Sequence, residues 1–349
     1  MRRWIKRIAL VLAVLFLVLT FINASWLADS PRGYVKLVAH RGTMQQFSHV
    51  GLGDQDCTAT RIEPPLHDYL ENTVSAINSA KRLGAQVVEI DIAPTADGKI
   101  ALFHDAALDC RTNGKGPTGA ATLAQLQTLD AGYGYSADGG KTFPFRGKAI
   151  GAIPSLEQGL DAAGNTALIY NFKTRDPEHA DRLIAALKAA GRDPVARGDG
   201  FSGPEPLIAR VRTAFPGVWA FSPDSVKACT IGYLKTGWLT LVPESCRNGT
   251  MFVPLNYQWA FAGWPDRLIA RMEAVGGRVV VIADRGKDRP MGLDLPEQLG
   301  EVPRSFNGYV WVDDMWSVGP ALRPAYNKRN PREEAELAKA LEARRAARD

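Results

Sequence analysis

Short runs of aliphatic and β-branched residues recur along this chain, and the early ones alternate with stretches of helical patterning. Lys36-Leu37-Val38-Ala39 is followed by a helix predicted from Asn72 to Leu83, and then by Val87-Val88-Glu89-Ile90-Asp91-Ile92. Further strand candidates are Ile100-Ala101-Leu102-Phe103, Ala167-Leu168-Ile169-Tyr170, Val218-Trp219-Ala220-Phe221, Met251-Phe252-Val253, Val279-Val280-Val281-Ile282 and Tyr309-Val310-Trp311-Val312. Helical patterns fall at Pro177 to Ala190, Pro204 to Ala214 and Pro265 to Val275, each opened by a proline where helix starts favour one. Strands alternating with helices imply an α/β fold with a parallel sheet. The runs are about as numerous as an eight-stranded barrel requires. A further candidate strand lies around Pro194 to Arg197, so the identity of strands five and six stays open.

Two long irregular stretches interrupt the pattern, and long loops inside a compact domain are usually functional or disordered. Gly42 to His67 separates His40 from the first helix. Asp109 to Gly151, rich in Gly, Thr and Lys, carries its own helix signal at Thr122 to Leu129. The end of the chain, from Asn330, mixes both charges around Leu337 and Leu341 and reads as a solvated helix, with partner binding as the alternative. The expected organisation is an anchor segment over 1–30, a barrel over 34–325 and a charged tail over 326–349.

The anchor expectation rests on Ile8 to Ile22, apolar throughout except Thr20 and preceded by Arg2, Arg3, Lys6 and Arg7. Asn23-Ala24-Ser25-Trp26-Leu27-Ala28 offers no clean small-x-small cleavage pattern, so a retained single-pass anchor is favoured over a cleaved signal. Trp4 and Trp26 stand where interfacial tryptophans would. The positive-inside bias keeps the basic residues cytoplasmic and puts the body across the membrane. The chain's 42 Lys+Arg against 37 Asp+Glu then say little about partners, because the four basic residues of the leader account for most of the excess. A balanced body gives no electrostatic reason to bind nucleic acid. Four cysteines suit an oxidising exterior: Cys229 and Cys246 bracket one loop, and Cys57 and Cys110 follow the two histidine segments, with buried free thiols as the alternative.

Polar residues crowd the carboxyl ends of the early strands: His40-Arg41, Glu89 and Asp91, His104-Asp105, and Asn171 with Lys173. That end of a parallel barrel is where sites are built. Glu89 and Asp91 are two apart on one strand and share a face. Burying both carboxylates demands a cation. A divalent metal is one solution, and salt bridges to Arg41 and Lys173 are the other. Two imidazoles supply a general acid and base, and Arg41 and Lys173 suit an anionic oxygen.

Val38-Ala39-His40-Arg41-Gly42, Glu71-Asn72-Thr73, Glu89-Ile90-Asp91, Phe103-His104-Asp105 and Ile153-Pro154-Ser155-Leu156-Glu157 follow in order and spacing the pattern of the glycerophosphodiester phosphodiesterases, which this chain resembles from about Leu37 to Lys173. The resemblance implies a TIM (β/α)8 barrel with the segment after strand three as the family's insertion, and a site for Ca²⁺ or Mg²⁺. It implies His40 and His104 as the catalytic pair, Glu89 and Asp91 as metal ligands, Arg41 and Lys173 as phosphate contacts, and Glu71 as a supporting residue. Trp311-Val312-Asp313-Asp314 looks like the family's closing strand. The family's Glu-x-Lys is here Asn171-Phe172-Lys173, leaving Asn171 to offer a carbonyl oxygen and the metal one fewer charge. The expected activity is hydrolysis of a glycerol-containing or lipid-derived phosphodiester. The alternatives are a phospholipase D-like sphingolipid or lysophospholipid phosphodiesterase, and a catalytically weak lipid-binding protein.

Overall fold

The computed structural model describes residues 2–53 and 56–347. Met1, two residues of the first insertion (Asp54 and Gln55) and the last two of the charged tail (Arg348 and Asp349) lie outside the described residues. The strands are β1 (Lys36–Ala39), β2 (Val87–Pro94), β3 (Ile100–Leu102), β4 (Ala167–Phe172), β5 (Gly200–Ser202), β6 (Trp219–Phe221), β7 (Thr250–Pro254), β8 (Arg278–Ile282) and β9 (Tyr309–Val312). The helices are α1 (Arg2–Asn23), α2 (Val74–Arg82), α3 (Leu123–Leu126), α4 (Leu156–Ala163), α5 (Glu178–Ala189), α6 (Pro194–Arg197), α7 (Glu205–Ala214), α8 (Pro223–Thr236), α9 (Asp266–Ala274), α10 (Met315–Leu322) and α11 (Pro331–Ala346).

Among the described residues, eight strands run parallel in the order β6-β5-β4-β2-β1-β9-β8-β7, a nearly closed TIM barrel. Residues two apart on each strand share a face, and this sorts the core. Val38, Val87, Ile169, Trp219, Phe221, Val280, Ile282 and Trp311 form one buried cluster inside the barrel. Their neighbours Leu37, Ala39, Val88, Ile90, Leu168 and Tyr170 pack outward in the larger cluster shared with the helices. Trp219 needs space inside, and Gly200 on the next strand provides it: a Cβ there would stand 3.0 Å from the indole.

The Ile100 strand is not a third barrel strand. It pairs antiparallel with the far end of β2, Leu102 opposite Ile92 and Ile100 opposite Pro94. Only the turn from Thr95 to Lys99 separates the two, with Gly98 at φ +75°, and a parallel crossover needs a dozen residues or more. The third barrel strand is therefore β4, and the long insertion leaves from a hairpin. Pro194 to Arg197 is likewise helix: Asp193 caps it by accepting the N–H groups of Val195 and Ala196. The fifth strand in sequence is the three-residue β5 that follows, too short and glycine-marked to read as apolar.

No ladder joins β6 to β7 among the described residues. The indole N–H of Trp219 donates to Thr250 Oγ1 at 2.9 Å across this seam. Both cysteine pairs are disulfides: Cys57–Cys110 joins the two insertions, and Cys229–Cys246 joins α8 to the segment entering β7. The tail helix α11 forms, but one face is packed rather than solvated. Leu337 and Leu341 are buried with Leu295, and Arg344 pairs with Asp314 at 2.9 Å and Glu63 at 2.7 Å. At the other end, α1 is exposed along its apolar length, and only its last turn meets the barrel.

Candidate active site

The same period of two that fills the barrel with apolar residues puts polar ones at its mouth. Above Val38 comes His40, above Val87 come Glu89 and Asp91, above Ile169 comes Asn171, and above Trp311 comes Asp313. β3 brings His104 in from outside this pattern, since its hairpin returns along β2 and the Phe103 N–H donates to the Asp91 carbonyl at 3.0 Å. The sequence-derived residues His40, Arg41, Glu71, Glu89, Asp91, His104, Asn171 and Lys173 thus converge on one mouth.

Arg41 adopts φ +57° and Gly42 φ +81° immediately beyond β1. A Cβ at Gly42 would stand 2.9 Å from the Ala76 carbonyl, so only glycine lets this turn lie against α2. The turn aims the Arg41 N–H at Glu89 Oε2 (2.9 Å) and its buried guanidinium between Glu71 (2.9 Å) and Asp91 (3.3 Å). Glu71 precedes the helix cap Thr73, so it is not an acidic first-turn residue; its carboxylate bridges Arg41 and Arg111, the latter at 3.0 Å. Burial would raise the Glu71 carboxyl, but Arg111 and Arg41 outweigh it and hold it below the usual range.

The two buried strand carboxylates divide. Burial would push Asp91 up, yet Lys173 (3.0 Å), Arg41, His104 and Asn72 together hold it well below the usual range. Asn72 Nδ2 donates to Asp91 Oδ2 at 2.8 Å, and Asn171 Nδ2 donates to Oδ1 at 3.1 Å. Asn171 Oδ1 in turn accepts the Ser202 hydroxyl at 3.1 Å. Both salt bridges that the sequence offered as the alternative to a metal are therefore present on Asp91. Glu89 is less well compensated: it accepts the Arg41 N–H on Oε2, but among the described residues it has no salt bridge. Burial and then Asp91 push its carboxyl upward, and its Oε1 is buried without a hydrogen-bond partner. Such an atom fits a hard cation, which Glu89 and Asp91 would hold. Among the described residues no cluster of three or more His, Cys, Asp or Glu surrounds the point; the carboxylates on hand are Glu89 and Asp91, and the Asn171 oxygen is turned to Ser202.

Each histidine has an aspartate on Nδ1. His40 Nδ1 lies 2.8 Å from Asp313 Oδ1, and His104 Nδ1 lies 2.6 Å from Asp105 Oδ1. An aspartate on Nδ1 selects the Nδ1–H tautomer and leaves Nε2 bare for chemistry. Burial would raise Asp313, but His40 and the Gly292 N–H hold it down. Half-buried Asp105, which burial would raise, is held at about 2 by His104 and Arg111. Burial and then Arg41 push the His104 imidazole below its ordinary value.

Asp313, Asn72 and Arg111 carry no role in the sequence reading. Asp313 was within reach, because it stands two beyond the inward Trp311 at a strand's carboxyl end. Arg111 was not: its buried guanidinium reaches Glu71, Asp105 (2.9 Å), Tyr135 (3.0 Å) and Thr58 (2.7 Å) from within the insertion.

Fold and mouth together define an α/β barrel with two imidazoles and a buried carboxylate pair at the carboxyl ends of its strands. Within that class the chain resembles the glycerophosphodiester phosphodiesterases, and residues 40–193 match the model of the Glycerophosphoryl diester phosphodiesterase family. It is 34% identical over 125 residues to the Glycerophosphodiester phosphodiesterase of Bacillus subtilis, covering 34% of this chain and 41% of that protein. It is 30% identical over 158 residues to Glycerophosphodiester phosphodiesterase 1 of Mus musculus, covering 45% and 38%. The chain spans about two fifths of the length of these curated relatives. Among solved structures, a glycerophosphodiester phosphodiesterase from Agrobacterium tumefaciens superposes with a TM-score of 0.54 at 22% identity, covering 82% of this chain and 99% of that one. The Glycerophosphoryl Diester Phosphodiesterase domain of an uncharacterised Mycobacterium tuberculosis protein gives 0.56 at 18%, covering 83% and 98%. These structures speak for the fold.

Proposed function

We propose that this chain is a phosphoric diester hydrolase acting on a glycerophosphodiester or a lipid-derived phosphodiester, with the barrel over 34–325 held outside the cytoplasm by the segment 1–30 and followed by the tail over 326–349. The observation that carries the reading is the pair of His–Asp dyads, His40–Asp313 and His104–Asp105, on either side of a buried carboxylate pair flanked by Arg41 and Lys173. The curated relatives bear the corresponding activity in their names, and a solved phosphodiesterase of the same fold from Oleispira antarctica holds the product sn-glycerol-3-phosphate.

In this reading Arg41 and Lys173 receive the phosphate oxygens. His40 Nε2 takes the proton of the attacking hydroxyl, from water or from the substrate's own neighbouring OH, while Asp313 stabilises the imidazolium that forms. His104 delivers a proton to the leaving alkoxide. The phosphodiester's negative charge offsets two of the cations that depress His104 in the free protein, so substrate itself promotes the protonated form. If a cyclic phosphate forms first, the two imidazoles exchange roles in its hydrolysis. Glu89, Asp91 and Asn171 would hold Ca²⁺ or Mg²⁺, which when bound neutralises charge on the phosphate.

The test is a hydrolysis screen of the full chain against glycerophosphodiesters, lysophospholipids and sphingomyelin, with and without EDTA. Hydrolysis of a glycerophosphodiester, suppressed by EDTA and lowered at least about a hundredfold by either His40→Ala or His104→Ala, is expected. Near-normal turnover in either variant overturns the two-histidine mechanism. Lipid binding without any hydrolysis returns the protein to the binding class.

A further inference from the structure

The way α1 meets the barrel fixes which end of the barrel faces the bilayer. There is no free linker at the junction. Arg271 of α9 donates to the Ile22 carbonyl at 3.1 Å and to Asn23 Oδ1 at 2.9 Å, capping the carbonyl end of α1. Asn23 Nδ2 donates to the Trp238 carbonyl (2.9 Å), Arg267 to the Ala24 carbonyl (2.9 Å), and the Asp266 N–H to Ser25 Oγ (2.7 Å). Trp238 lies between α8 and β7, on the stretch that enters β7 from its amino end. Asp266 also accepts the hydroxyl of Ser305, in the stretch that enters β9 from its amino end. The anchor is thus bolted to the barrel face opposite the mouth that holds His40, Asp91 and Lys173.

That face is apolar where the anchor leaves it. Trp26 is 78% exposed and Leu27, Trp238, Leu239 and Leu241 are exposed beside it. Exposed Arg32, Lys235 and Arg304 lie on the segments of the same face, with Asp29 and an Arg247–Glu244 pair among them. By length and composition α1, Arg2–Asn23, is long and apolar enough to cross a bilayer, and it ends where the barrel begins. A span whose last turn is bonded directly to its domain leaves no linker to lift that domain off the headgroups. Tryptophan, leucine and basic residues are what that zone accepts.

We propose that the amino-terminal face of the barrel, through Trp26, Leu27, Trp238, Leu239 and Leu241, rests in the lipid headgroup region, so that the catalytic mouth points away from its own membrane and takes a water-borne phosphodiester stripped of acyl chains. This inference rests on the anchor and on the phosphodiesterase reading, and its test separates the three. The full chain is reconstituted in phosphatidylcholine and phosphatidylglycerol vesicles whose acyl chains are brominated either near the headgroup or near the bilayer centre. Tryptophan fluorescence is compared between the parent and a Trp26→Phe, Trp238→Phe variant, in which phenylalanine keeps the ring packing. The expected result is quenching by shallow bromine that falls about twofold in the variant, as two interfacial indoles are lost. Glycerophosphocholine added to the vesicles is expected to be hydrolysed as fast as in detergent, while the vesicle phosphatidylcholine stays intact. Quenching unchanged in the variant overturns the face assignment while leaving the anchor standing, and a chain that fails to float with vesicles overturns both. Faster consumption of bilayer phosphatidylcholine than of glycerophosphocholine overturns the orientation. Loss of quenching in the variant without hydrolysis of either substrate supports the docked face and counts against the phosphodiesterase reading alone.

Discussion

Asn171 holds two bonds that a carboxylate in its place would exchange: its amide N–H donates to Asp91, and its carbonyl accepts from Ser202. A glutamate at this half-buried position would put a third acid beside Glu89 and Asp91, with Lys173 and Arg41 already committed to Asp91. Unpaired buried charge is destabilising. Asn171→Glu is therefore expected to melt at a lower temperature than the parent in EDTA and to gain more from added Ca²⁺ or Mg²⁺, because ligand binding stabilises in proportion to ln(1 + [L]/Kd). Thermal melts of both forms across a metal titration check this, and identical responses in the two would remove Asn171 from the cation site. At this scale the strand residues were legible because a period of two puts Glu89 and Asp91 on one face and aligns them with Asn171. What stayed hidden were the groups that hold others in place. Asp313 sits at the far end of the chain from His40, and Arg111 reaches Glu71 and Asp105 only because the insertion folds back over them.

The two insertions work as a single lid-shaped element tied by Cys57–Cys110, and the residue after each cysteine, Thr58 and Arg111, bonds to the other at 2.7 Å. The first insertion ends on His67, which packs with its Nδ1 toward two donors, the Gln45 amide at 3.1 Å and the Tyr69 N–H at 3.2 Å, and its ring against Trp316 of α10. A nitrogen that accepts twice cannot carry a proton, and burial pushes this imidazole down to about 4 despite Asp314 nearby. Its folded value lies below the ordinary 6.5, so between about 6.5 and 4 the unfolded chain binds the extra proton. The contribution is fully present above pH 6.5 and is lost as pH falls through that window, by roughly 2 kcal/mol once partial exposure of the ring is allowed for. Melting temperatures measured from about pH 7.5 to about pH 4.5 should fall more steeply for the parent than for His67→Gln; parallel slopes would show that this ring does not titrate on unfolding. Beyond its length, its cysteines and the helix signal at Thr122 to Leu129, where α3 forms, little of this element was readable. Loop conformation rests on contacts such as Gln45 to His67 and Arg344 to Glu63 that leave no periodic trace.

For the whole molecule, the alternation of strand and helix carried the barrel, since nearly every apolar run became a strand of it. The failures have a common cause. β3 reads as apolar and β5 does not, because a strand's membership in a barrel depends on the length of the connection before it and on its neighbour's bulk, here a five-residue turn and the Trp219 indole. The unladdered seam between β6 and β7 has a mechanical consequence. A closed barrel has no strand that can peel away before its neighbours, whereas this one has two end strands, each laddered along only one edge among the described residues. Inside, the Trp219 to Thr250 bond crosses the gap; outside, Cys229–Cys246 links the helix that follows β6 to the chain that enters β7. Closing that 17-residue separation removes about 3 kcal/mol of chain freedom from the unfolded ensemble. In Cys229→Ser, Cys246→Ser, amide hydrogens of β6 and β7 should exchange faster while those of β1 and β2 keep the parent's protection, and uniform loss across the sheet would mean that the barrel opens as one body. The barrel is in this sense a sleeve fastened along one side, its covalent stitch joining α8 to the segment that enters β7, while the His40–Asp313 dyad sits on the laddered side, after β1 and β9.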